Sequence, residues 1–165
     1  MIFNNILEAM GNTPMIRLQR MVDDDSAEVL VKFEGLNVGG STKTRTACAM
    51  IEEAEKYLGY PYVWGGTSLE NGADCSGFVQ AIYANYGYFL PRVAEDQAEV
   101  GAKIPVGDAK PGDLIFYARN GYIYHVVMYA GDGQTIEAHS SATGIIRGTV
   151  NYANAVWATR VLKDV

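Results

Sequence analysis

The sequence predicts an α+β protein. Helical periodicity lies in the middle of the chain, short strand runs follow it, and glycine turns join those runs. The helix is clearest after Gly72-Ala73-Asp74-Cys75-Ser76-Gly77-Phe78. There Phe78, Val79, Ile82, Tyr83 and Tyr86 recur three or four apart on one face, and Gly87 is the natural stop. The strand signal is clearest at Leu114-Ile115-Phe116-Tyr117, Tyr124 to Ala130 and Gln134 to His139. Gly131-Asp132-Gly133 between the last two is a hairpin turn.

Composition bounds the function. With 165 residues, 48% hydrophobic and 19% charged, the chain can bury one good core. A net charge of -6, with no basic run or stripe, argues against a nucleic-acid partner. No apolar run is long enough to span a bilayer. Met1-Ile2-Phe3-Asn4-Asn5-Ile6-Leu7-Glu8 lacks the basic start and apolar run of a signal peptide, so a cytoplasmic location or a non-classical export route is expected. Cys48 and Cys75 are the only cysteines, too few for a disulfide framework or a cysteine zinc cluster.

In chain order, Asp23-Asp24-Asp25-Ser26 reads as a solvated turn and Val29-Leu30-Val31-Lys32-Phe33 as a short β run. A helix is expected from Thr46 to Tyr57. No Pro-, Ser- or Gly-rich hinge accompanies it, so the boundary between residues 1–45 and 46–165 falls at a helix and not in a linker. Tyr60-Pro61-Tyr62-Val63-Trp64-Gly65-Gly66 is a tight aromatic and glycine segment leading to Cys75. After the Cys75 helix, Leu90-Pro91-Arg92 turns into a short helix reaching Val100, and Ala109 to Asp113 is a turn. Beyond the three strands named above, Ile145-Ile146-Arg147 and Val156 to Val161 complete an antiparallel sheet.

The chemistry centres on Cys75. Asp74 is placed to cap the helix, its carboxylate accepting backbone N–H groups that the first turn leaves unpaired. The helix dipole there favours a thiolate, which is the nucleophilic form. A cysteine nucleophile needs a base, and the base needs a polar group to orient it. His125 and His139 are the only histidines, and they flank one hairpin. A three-residue loop at Gly131-Asp132-Gly133 pairs Ala130 with Gln134 and sets His125 opposite His139, with Cβ atoms about 5 Å apart. A two-residue Asp132-Gly133 turn would shift the register and separate them. In the first register Cys75, His125 and His139 serve as nucleophile, base and orienter. Glu137 shares strand parity with His139 and is a rival orienter.

Two family resemblances follow. Asn5-Ile6-Leu7-Glu8, Gly11-Asn12-Thr13-Pro14, Val29 to Glu34 and Gly39-Gly40-Ser41-Thr42-Lys43-Thr44-Arg45 resemble the N-terminus of cysteine synthase. In that family the lysine matching Lys43 carries pyridoxal phosphate. Nothing after Lys56 matches the family's phosphate loop, so no cofactor is expected here and residues 1–45 read as a captured fragment, serving as a cap or as an arm for docking a protein partner. Residues 46–165 resemble the NlpC/P60 cysteine peptidases. The resemblance rests on Tyr57-Leu58-Gly59-Tyr60-Pro61-Tyr62-Val63-Trp64-Gly65-Gly66, Asp74-Cys75-Ser76-Gly77-Phe78-Val79, Leu90-Pro91-Arg92, Lys110-Pro111-Gly112-Asp113-Leu114-Ile115-Phe116 and His125-Val126-Val127-Met128-Tyr129.

The second resemblance implies a papain-like core and a hydrolase of bacterial cell-wall stem peptides, cutting between D-γ-glutamate and the diamino acid without metal or cofactor. It implies Cys75 as nucleophile, His125 as base, His139 at the third polar position and Tyr62 at the oxyanion. It also implies Asp74, Ser76 and Arg92, with Trp64, as substrate contacts. The family works mostly outside the membrane or in the cell wall.

Overall fold

Apolar and alternating runs become strands where each can lay one face on a core, and the described residues show where those cores lie. The computed structural model describes residues 2, 8–18 and 27–162, and the expected turn at Asp23-Asp24-Asp25-Ser26 lies outside them. The chain divides into two compact units, residues 1–45 and 46–163.

In the first unit, β1 (Met15–Arg17) pairs antiparallel with β2 (Leu30–Lys32). The sequence signalled β2 but not its partner. A polar knot closes this unit. Arg45 Nε and Nη2 donate to the two Glu34 carboxylate oxygens at 2.8 and 2.9 Å, and Thr13 Oγ1 donates to Glu34 Oε1 at 2.6 Å. The Arg45 and Thr13 hydrogen bonds hold the Glu34 carboxyl down at about 2. Helix α1 (Lys43–Glu55) starts three residues before the expected Thr46. Its first residue, Lys43, donates its backbone N–H to Ser41 Oγ at 3.0 Å.

In the second unit the chain continues through the short strands β3 (Thr67–Ser68) and β4 (Gly72–Ala73) to helix α2 (Cys75–Ala84) and one-turn helix α3 (Ala94–Gln97). Strands β5 (Ala102–Ile104), β6 (Leu114–Arg119), β7 (Tyr122–Gly131), β8 (Gln134–Ser140), β9 (Gly144–Thr149) and β10 (Ala155–Arg160) follow. They form a six-stranded antiparallel sheet in the order β5-β10-β6-β7-β8-β9. Helices packed on an antiparallel sheet make the fold α+β, as the sequence predicts. Strand β5 was not foreseen. It is three residues long, lies at the sheet edge and is largely exposed, so it carries no apolar alternation.

The core forms where α2 lies on the sheet. Phe78, Val79 and Ile82 of α2 are fully buried, as are Phe116, Val126, Met128, Ile136 and Ala138 of the strands. Each large apolar side chain so buried contributes about 1.5–3 kcal/mol. The apolar face read from the sequence is therefore the face that docks α2. Polar anchors fix its far end. The fully buried Tyr83 hydroxyl donates to the Gly112 carbonyl, and Tyr86 Oη donates to the Ala49 carbonyl of α1 at 2.7 Å. Gly87, at φ +80°, lets the chain leave the helix, as expected of a stop signal.

The β7–β8 hairpin corrects one expectation. Gly131 pairs with Gln134, so the turn is the two-residue Asp132-Gly133, with φ of +52° and +73°. Positive φ at both positions matches the twist of flanking strands better than a wider loop does. Ala130 drops out of the ladder as a bulge, and pairing resumes at Tyr129 with Thr135 and Met128 with Ile136. The bulge cancels the shift that the tighter turn introduces. Counting outward from these pairs again brings His125 level with His139.

Candidate active site

The site begins at the first residue of α2. Asp74 caps the helix, its Oδ1 accepting the Gly77 backbone N–H at 2.8 Å. Cys75 follows at N1 and is largely buried, at 9% exposure. The segment before it is held close. A Cβ on Gly77 would stand 2.1 Å from the Gly66 carbonyl oxygen, so only glycine allows that loop to lie on the helix start. Tyr62, on the same loop, bridges to Ala73 and lines the same cleft as Cys75. Burial first, then the nearby Cys75 and Asp74 charges, push the Tyr62 phenol up.

From the sheet comes His125. Tyr117 of β6 is its cross-strand partner. Cys75 lines the same cleft as His125, near enough to favour the charged imidazole. His125 Nε2 and Glu137 Oε2 are 2.6 Å apart. Burial works against a charged imidazole, yet Cys75 and Glu137 outweigh it and push His125 up to about 9.

His139, expected as the third polar group, lines the same cleft. Its Nδ1 bonds Thr143 Oγ1 at 2.9 Å, and its ring meets His125 edge-on at 6.4 Å between centroids. Glu137, the diagonal neighbour across the hairpin, holds His125. The reason is chemical. A buried carboxylate accepts a charge-assisted hydrogen bond from a protonated ring, which a second imidazole cannot match.

Tyr62, Cys75, His125, Glu137 and His139 line one cleft of about 340 Å³, with Tyr117, Tyr124, Thr149 and Asn151 completing its walls. The expected substrate contacts stand differently. Asp74, Ser76 and Arg92 form a closed cluster beside the cleft. Arg92 Nη2 donates to Asp74 Oδ2 at 2.7 Å, and Arg92 Nη1 donates to Asp74 Oδ1 and Ser76 Oγ at 2.9 Å each. Gly65 N also donates to Asp74 Oδ2, at 2.9 Å. Burial opposes the Asp74 charge, but Arg92 and the Gly77 and Gly65 amides together lower its pKa. The carboxylate thus spends its lone pairs inside the protein. Trp64 is not a wall of the cleft; it is 86% exposed. Of the wall residues, Tyr117, Tyr124, Thr149 and Asn151 were not singled out in the sequence. None had a usable signal there, since the pairing of Tyr117 with His125 depends on a bulge between the β6–β7 turn and His125.

Comparison with known proteins places the chain in a family. The NlpC/P60 family model matches residues 59–165. The chain belongs to the NlpC/P60 family. A γ-D-glutamyl-L-lysine dipeptidyl-peptidase of Bacillus subtilis strain 168 is 44% identical over 107 residues, 63% of this chain and 35% of that protein. The peptidoglycan endopeptidase RipB of Mycobacterium tuberculosis is 37% identical over 127 residues, 69% of this chain and 52% of that protein. The NlpC/P60 domain of the peptidoglycan hydrolase SagA, known from a crystal structure, matches with a TM-score of 0.64 at 37% identity, covering 69% of this chain and 97% of that one. The chain thus spans about a third to a half of the two curated relatives' length. Among the described residues, no helix is long and apolar enough to cross a membrane.

Proposed function

We propose that the protein is a cysteine peptidase that hydrolyses peptidoglycan stem peptides, at the bond between D-γ-glutamate and the diamino acid. The observation that carries this reading is the His125 imidazole, bonded to Glu137 and sharing one cleft with Cys75. The roles are Cys75 as nucleophile, His125 as acid and base, and Glu137 as orienter. A cleft of about 340 Å³ suits a short peptide. The substrate class is supported by the γ-D-glutamyl peptidase and peptidoglycan endopeptidase names of the relatives.

The steps balance without a cofactor. Sγ attacks the carbonyl carbon and forms the C–S bond, its proton residing on His125. The oxyanion meets the Cys75 backbone N–H, which has no acceptor within the helix, and the Tyr62 hydroxyl. As the C–N bond breaks, His125 passes its proton to the leaving amine. Water then adds to the thioester, giving a proton back to His125, and the C–S bond breaks to release the new carboxylate. The test is turnover of an L-Ala-γ-D-Glu-diamino acid peptide by the purified protein. Cleavage at the γ-glutamyl bond, lost in Cys75→Ala, supports the reading; no cleavage of any stem peptide sinks it.

The first 45 residues are proposed to be a docking arm. Their resemblance to cysteine synthase and the exposure of Met15, Ile16, Leu30 and Val31 on the β1–β2 ribbon support that role. Pull-down on cysteine synthase or serine acetyltransferase, with and without residues 1–45, tests it.

A further inference from the structure

The β6–β7 ladder contains a second bulge, and it falls beside His125. Tyr117 pairs with His125, but the next pair is Ala118 with Ile123, so Tyr124 has no partner opposite it. Neighbours on a regular strand point to opposite faces. A bulge breaks that rule and can aim two successive side chains the same way. Tyr124 and His125 accordingly both line the cleft. The Tyr124 ring lies nearly parallel to the imidazole, 17° between planes and 6.4 Å between centroids. Tyr117 covers the imidazole too, at 33° and 5.9 Å. Tyr124 is 43% exposed, so packing alone does not fix it. Arg119, with its guanidinium carbon 5.5 Å from the Tyr124 ring centroid, pins the ring from the β6 side.

We propose that Tyr124 is a positioning residue whose ring face, delivered by this bulge, holds the His125 imidazolium between Cys75 and Glu137. The physical basis is offset stacking of two near-parallel rings, the electron-rich tyrosine face favouring the protonated imidazole, together with restriction of the imidazole to one plane. The groups facing His125 are Cys75 from α2, Tyr117 from β6, Tyr124 from β7, and Glu137 and His139 from β8. Glu137 supplies the charge. Tyr124 supplies the ring face that keeps the imidazole turned toward Glu137.

This inference rests on the proposed peptidase reading, but its first readout does not. The chain has two histidines, so ¹³C-edited NMR titration of the full-length protein resolves His125 once His139→Gln has assigned the other signal. Tyr124→Leu, which keeps bulk but removes the ring, is expected to lower the His125 midpoint by about half a pH unit. Tyr124→Phe is expected to leave it in place, since the face and not the hydroxyl acts. With a stem-peptide substrate, Tyr124→Leu is expected to reduce kcat about fivefold or more, KM changing less than twofold. An unmoved His125 midpoint in Tyr124→Leu overturns the proposal, as does a loss confined to KM, which would make Tyr124 a substrate wall. A wild-type chain that cleaves no stem peptide, yet shows the Tyr124-dependent midpoint, would sink the substrate reading and keep this one.

Discussion

Replacing Glu137 by Gln removes one charge and almost no volume, at the atom that holds His125. The folded imidazole is pushed from 6.5 to about 9. That difference corresponds to about 3 kcal/mol of favoured protonation. It is shared between Cys75 and Glu137, after the opposing cost of burial. A hydrogen bond to a charged partner contributes about 1.5–3 kcal/mol. Glu137→Gln should therefore lower the His125 midpoint by about one to two pH units. The Gln carbonyl still accepts from Nε2, so the ring stays oriented while its proton is held less tightly. Stem-peptide turnover at neutral pH should fall by about ten- to a hundredfold. His139→Gln, whose ring bonds Thr143 and meets His125 only edge-on, should lower both quantities less than Glu137→Gln does. The assays are histidine NMR titration and peptide hydrolysis on the same preparations. A Glu137→Gln protein with the wild-type midpoint and rate, beside a His139→Gln protein that loses both, would refute the assignment of the orienter.

Further expectations follow from the same contacts. Because the folded pKa of His125 exceeds its unfolded value, its contribution to stability is complete below about pH 6.5 and disappears as pH rises through about 9. Urea unfolding between those pH values should show that loss, and Cys75→Ala should shrink it. Asp74 has the opposite sign: its lowered pKa stabilises the fold above the ordinary carboxylate range, and that contribution is lost on acidification. Arg92→Ala leaves Asp74 largely buried without its cation, and should cost about 1–3 kcal/mol, because Arg92 is itself partly exposed. The same substitution should move acid unfolding to higher pH, read by circular dichroism. Gly77→Ala would put a methyl group 2.1 Å from the Gly66 carbonyl oxygen; about 1–3 kcal/mol of stability should be lost. The displaced Tyr62 loop should also lower kcat, measured with the same peptide.

The features legible in the sequence are those set by near neighbours. Asp74 caps α2 and the apolar spacing buries Phe78 and Ile82, both matters of one or two helical turns. The parity of β7 and β8 was also legible, since alternation fixes which residues share a face. Parity cannot choose between Glu137 and His139, which differ by two residues and point the same way. That choice depends on side-chain reach and charge in a buried site. Nor can sequence alternation register a bulge. Ala130 and Tyr124 leave their ladders, and the first of these bulges lets the tight Asp132-Gly133 turn still bring the histidines level. The Asp74–Arg92 pair joins residues far apart in the chain. Helix capping was readable from Asp74 alone; the cation that completes the pair was not.

The most direct measurement is intact-mass spectrometry of the protein, acid-quenched at short times after mixing with an L-Ala-γ-D-Glu-diamino acid peptide. The proposed chemistry predicts a transient mass increase of one L-Ala-γ-D-Glu acyl group on Cys75, matched by free diamino-acid product, with both absent in Cys75→Ala. Hydrolysis that continues undiminished in Cys75→Ala, with no acyl group on the wild-type protein at any time, would contradict it.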